Sequence, residues 1–123
     1  MDKEYIDKRN SIIKKRIKLS VMPSVILVFF IWIMFVIDYL QVVPFNFSRL
    51  GIYPLRVEGL IGIVFSPFVH SSFSHLVSNS VPLLVMVTMI FYFYNQIAIK
   101  SISFLWLLSG LFTWFIGRSA YHI

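Results

Sequence analysis

The segment His70-Ser-Ser-Phe-Ser-His75-Leu-Val-Ser-Asn79 brings three hydrogen-bonding side chains to the point where the chain enters an apolar run. Polar groups are costly at membrane depth and occur there mainly where chemistry or transport needs them. His75 and Asn79 are four residues apart, so a helix carries both on one face. His70 precedes His75 by five residues, and is expected to point elsewhere or to belong to the preceding loop. An Asn amide always offers donors, and a neutral His offers one in either tautomer. Two such donors on one face can stabilise a single developing oxyanion, each being worth roughly 10²–10³ in rate. That chemistry requires a nucleophile. Ser71, Ser72, Ser74, Ser78 and Ser80 are close by, but none sits in a G-x-S-G turn. No later apolar run supplies a further His as base, and His122 falls in the last residues of the chain.

Metal chemistry is not expected. Two histidines at this spacing share no helix face, and no carboxylate follows at i+3 or i+4, so the zinc pattern is missing. No cofactor is expected either. A purely structural reading stays open at this point. Ser72 or Ser74 would cap the helix, and the histidines would pack at the membrane interface.

The elements that position these groups follow from composition. Of 123 residues, 59% are hydrophobic and 13% charged, with a mean hydropathy of +0.84. A soluble domain carries about 25% charged residues, so the expectation is one integral membrane domain, all-α. The net charge of +6 is concentrated. Lys3, Lys8, Arg9, Lys14, Lys15, Arg16 and Lys18 precede the first apolar run, which is a topology signal rather than a nucleic-acid footprint. No nucleic-acid partner is expected. With no cysteine there is no disulfide framework. The first apolar run is longer than a signal-peptide core, and no cleaved leader is expected.

Residues 1–20 read as a basic cytoplasmic arm. They form either a solvated topology signal or an amphipathic helix on anionic lipid, with Ile6, Ile12, Ile13 and Ile17 at loose helical spacing. Spans are expected at about 21–43, 75–95 and 98–117. Asp38 reads as an interfacial carboxylate rather than a proton relay. Between the first two spans, Pro44, Pro54, Pro67, Gly51, Gly59 and Gly62 rule out a continuous helix. The connection is still too apolar for a solvated loop, and reads as interfacial, packed on the bundle. Pro82 is expected within the first two turns of the second span. Ser109, Gly110 and Thr113 give the third span a small-residue stripe. Left unpaired, that stripe would drive oligomerisation or degradation. The basic arm places the N-terminus in the cytoplasm and the His70/His75/Asn79 cluster near the outer leaflet of a bacterial cell membrane.

The run Ser66-Pro67-Phe68-Val69-His70-x4-His75-x3-Asn79 resembles the H-x4-H-x3-N signature of rhomboid intramembrane serine proteases. In that family it opens the second transmembrane helix after a long, semi-embedded extracytoplasmic loop. The third apolar run, ending Leu107-Leu-Ser-Gly-Leu-Phe-Thr-Trp-Phe-Ile-Gly-Arg118, resembles the family's third helix, and the likeness covers roughly residues 20 to 123. It implies that residues 21–123 form the first half of a six-helix bundle. It also implies that His75 and Asn79 stabilise the oxyanion, that His70 is a structural support, and that Arg56 matches a loop arginine. The implied substrates are single-pass membrane proteins, cleaved by a Ser-His dyad. The sequence departs from the family in one large respect. It ends about where the G-x-S-G turn begins, so nucleophile and base are not in these residues and the chain alone is expected to be inactive. Two further readings are a non-catalytic rhomboid-like protein that binds client helices, and an unrelated membrane adaptor.

Overall fold

The computed structural model describes residues 2–117, which are helical with no strand among them. Three helices are long and apolar enough to cross a membrane: α1 (Lys3–Tyr39), α3 (Phe73–Tyr94) and α4 (Ala98–Ile116). Between α1 and α3 lie three short 3₁₀ turns, Phe47–Leu50, Val57–Leu60 and Ser66–Phe68, and a single helical turn, α2 (Gly62–Phe65).

The basic arm and the first apolar run are one continuous helix of 37 residues. At ~1.5 Å per residue it is about 55 Å long, nearly twice a ~30 Å hydrocarbon layer. Its basic first half therefore extends past any membrane that its second half crosses. Pro23 removes one backbone donor without ending the helix. The helix stops at Tyr39, short of the expected Val43, and the reason is local. Val42 N–H donates to the Ile37 carbonyl (3.2 Å) and Gln41 N–H to that of Asp38 (3.1 Å), with Gln41 at φ 50°. This is a Schellman ending in which Gln occupies the left-handed position usually held by Gly.

α1 and α3 form an antiparallel pair. The fully buried Ser24 shares a hydrogen bond of 2.7 Å with the half-buried Thr88, and the Trp32 indole donates to Ser80 Oγ at 2.9 Å. Buried hydroxyls satisfied across a helix pair fix its register. Phe73 closes one end of the pair against Trp32, with ring centroids 5.9 Å apart. Pro82 lies nine residues after Phe73, and so sits deeper than the expected first two turns.

α4 touches α3 little and is held mainly by the α1–α3 connection. The connection is therefore packed on a helix, as its apolar sequence suggests. Trp106 Nε1 donates to the Ile63 carbonyl (3.2 Å), and Trp114 Nε1 donates to that of Arg56 (2.8 Å). Leu55 N–H returns a bond to the Trp114 carbonyl (3.1 Å), which holds Leu55 at φ 59°. Gly110 faces Ile63 so closely that a Cβ would stand 2.8 Å from Ile63 Cγ2 and 2.9 Å from its carbonyl. The small-residue stripe is thus not left unpaired. Gly110 is covered by the connection, while the Ser109 and Thr113 hydroxyls bond back to the Trp106 and Ser109 carbonyls, each at 2.9 Å. Of the stripe, Gly110 is closed to a partner helix, while Ser109 stays exposed.

Candidate functional site

The site begins with a cap. Ser72 has extended backbone, and its Oγ accepts from His75 N–H at 3.2 Å, which starts α3 at Phe73. The alternative cap, Ser74, instead lies within the first turn, and its carbonyl accepts from Ser78 Oγ at 2.8 Å. With the start fixed, His75 and Asn79 fall on one exposed face, as their spacing requires.

His70 joins them from the coil before α3, the second of the two placements that its spacing left open, and its ring turns toward them rather than elsewhere. Its Nε2 lies 3.4 Å from Asn79 Nδ2, and its ring meets that of His75 edge-on with centroids 5.2 Å apart. The preceding coil turns the ring inward. Val69 N–H bonds back to the Ser66 carbonyl (3.0 Å). Phe68 is held between Phe30 of α1 (5.3 Å) and Trp106 of α4 (5.1 Å). Three elements thus converge on the residue two before His70, a convergence that no local periodicity announces.

His70 is 8% exposed, and its Nδ1 is buried with no hydrogen-bond partner among the described residues. Burial lowers its pKa below the ordinary 6.5, and the neighbouring His75 lowers it further, while the Phe68 backbone offsets part of the shift. The ring is therefore neutral at pH 7. A neutral ring either accepts from Asn79 Nδ2 or, with the amide turned over, donates to its oxygen and leaves both amide protons free.

His70 stands between two hollows. On one side a groove of about 420 Å³ is lined by His75, Asn79, Ser66, Ile31 and Met86. On the other, a hollow of about 450 Å³ is lined by Asp38, Asn46, Ser48 and Ser71. Asp38 sits in the last turn of α1 beside this second hollow, near the expected interface. Arg56 caps the Val57–Leu60 turn through its backbone, and its side chain is exposed. Among the described residues no group of three or more His, Cys, Asp or Glu gathers as metal ligands. Arg118 and His122 lie outside the described residues.

Sequence reasoning missed Trp106 and Trp114. They flank Gly110 at i−4 and i+4 on one face of α4, and together the three residues hold the connection. The signal was present as a Trp-x3-Gly-x3-Trp stripe, but attention to small residues selected the neighbouring Ser109 and Thr113.

No family model matches the chain, and no solved structure matches it. Four curated relatives do. An uncharacterized protein of Mycobacterium bovis and one of Mycobacterium tuberculosis are each 37% identical over 68 residues, which is 55% of this chain and 28% of theirs. An uncharacterized protein of Mycobacterium leprae is 33% identical over 78 residues, 63% of this chain and 31% of its own. The chain spans about a third of the length of the curated relatives it matches.

Proposed function

We propose that this chain is the N-terminal part of a rhomboid-type intramembrane serine endopeptidase that cleaves transmembrane segments of single-pass proteins. The observation that carries the reading is the convergence of the H-x4-H-x3-N side chains on one groove at the mouth of an apolar helix. Asn79 lies 3.4 Å from His70, and His75 stands edge-on to the same ring. In this reading His75 and Asn79 donate to the oxyanion of the acyl intermediate, and the buried neutral His70 positions the Asn79 amide. Fixed donors need no reorganisation as charge develops, which is why such a hole accelerates acyl transfer. The N-terminus is cytoplasmic and the site opens on the outer side, since the basic half of α1 favours the cytoplasmic face. The nucleophile and base come from helices outside these 123 residues, so the chain by itself is inactive. A relative's greater length is consistent with such additional helices.

The test uses the longer protein. Asn79→Ala should lower cleavage of a reporter transmembrane segment by roughly 10²–10³ while leaving its expression and folding unchanged. A fluorophosphonate should label the longer protein and leave the 123-residue chain unlabelled. Labelling of this chain alone would refute the assignment. Unchanged turnover in Asn79→Ala would move the reading to a rhomboid-like protein that holds client helices without cutting them.

A further inference from the structure

At the opposite end of the α1–α3 pair from the histidines, a second groove of about 630 Å³ opens between the basic half of α1 and the α3–α4 turn. Its walls divide by chemistry. Lys15 and Arg16 line it together with Asn95 and Gln96, while Leu19 and Phe93 form an apolar stretch of the same groove.

Arg16 is held in place there. Its Nε and Nη2 donate to the Tyr92 carbonyl at 3.1 and 2.7 Å, and its guanidinium carbon lies 4.8 Å from the centroid of the Tyr92 ring. That carbonyl belongs to the last turn of α3, where no intrahelical donor reaches it. A guanidinium carries five N–H donors. Two are used on Tyr92, and the other three have no partner among the described residues. No acidic residue lines the groove. Asp7, the nearest carboxylate before it on α1, is eight residues from Lys15 or about 12 Å along the helix. Two cations with no carboxylate in the groove, one of them oriented by Tyr92, therefore sit beside its apolar stretch, at the level of the Phe91–Tyr94 aromatic run.

The occupant must carry an anion and an apolar tail at once. We propose that this groove binds one anionic phospholipid, its phosphate against Lys15 and Arg16 and an acyl chain along Leu19 and Phe93. A separate groove on α1, lined by Val25, Phe29, Trp32 and Ile33, has no such cation and offers nothing to select a headgroup. The site does not depend on the protease assignment.

The 123-residue chain, purified in mild detergent and offered equal amounts of phosphatidylglycerol and phosphatidylcholine, should retain one phosphatidylglycerol per chain in native mass spectrometry. Lys15→Gln should weaken retention about fivefold, the factor typical of one basic residue at a lipid surface. Lys15 makes no contact with Tyr92 that the fold requires, so this variant keeps the α1–α3 packing, whereas Arg16→Gln also removes the Tyr92 bonds. Lys3→Gln makes the same change in net charge away from the groove and should leave retention unchanged. Equal retention of both lipids would overturn the proposal, and so would a Lys3→Gln effect as large as that of Lys15→Gln. Full displacement of the lipid by inorganic phosphate would also overturn it, by making the site one for free phosphate.

Discussion

Three residues hold their local chemistry against a cost. His70 places a buried ring, one nitrogen of which has no hydrogen-bond partner among the described residues, beside His75. Its folded pKa lies below 6.5, so as pH falls through 6.5 the ring takes a proton more readily when released than when packed. The released state then binds more protons, and its population rises as pH drops below 6.5. Hydrogen exchange at residues 66–72 should accelerate over that window, and His70→Gln, which cannot titrate, should flatten the dependence. An exchange rate independent of pH beyond the intrinsic chemistry, in the unmodified chain, would contradict this. Gln41 and Leu55 hold left-handed backbone without being glycine. Gln41→Gly relieves the Cβ penalty of that conformation but removes the bond from Gln41 Nε2 to the Asp38 carbonyl (2.6 Å), so it should stabilise α1's ending by less than about 1 kcal/mol. Thermal denaturation in detergent checks the sign. Leu55 bonds to the Trp114 carbonyl through its backbone N–H, which glycine also carries, so Leu55→Gly keeps that bond and is expected to gain more.

Among the elements, α4 and the connection depend on each other. The connection has too little regular structure to hold itself, and α4 has little contact with α3. Trp106, Gly110 and Trp114 supply the joint. Gly110→Val would drive a side chain into the Ile63 backbone as well as its Cγ2, and overpacking of that kind costs about 1–3 kcal/mol. Trp114→Phe keeps an aromatic ring but removes the pyrrole half of the indole and its hydrogen bond to Arg56, the bond alone being worth about 1 kcal/mol. Both changes should raise amide exchange across residues 54–65 and leave the α1–α3 pair protected. Loss of protection in α1 and α3 as well would mean that the molecule opens as a single unit.

At the scale of the whole molecule, an antiparallel helix pair forms the frame and α4 is strapped to it. The register of the frame is testable because the chain has no cysteine. Ser24→Cys with Thr88→Cys replaces a 2.7 Å oxygen pair and should oxidise to an intrachain disulfide in membranes. Ser24→Cys with Val81→Cys, about two turns away, should not. The exposed apolar surface of α1, α3 and α4 is extensive, as expected of helices that face lipid. With Gly110 already covered, monomers in detergent are the expected state, and size-exclusion with light scattering reads it.

What the sequence determined by itself was local. Three apolar runs of sufficient length predicted three long helices, because a membrane leaves the backbone no other way to satisfy its polar groups. A serine cap, Ser72 or Ser74, and the shared face of His75 and Asn79 follow from rules that act within one turn, and the structure chose Ser72. The proline and glycine density of residues 44–68 foretold an interrupted connection, and its apolarity foretold that it packs. Tertiary structure decided the rest. His70 reaches Asn79 only because Phe68 is wedged between α1 and α4, a contact across 38 residues on one side and 38 on the other. The covering of Gly110 by Ile63 and the capping of Tyr92 by Arg16 are equally remote in sequence. Such contacts depend on shape and donor–acceptor fit between distant segments, which leave no period in the chain. The continuity of α1 through Pro23 lies between the two. The break that proline suggests is outweighed by the helix on either side and by packing on α3, and that balance appears only when the partner helix is in place.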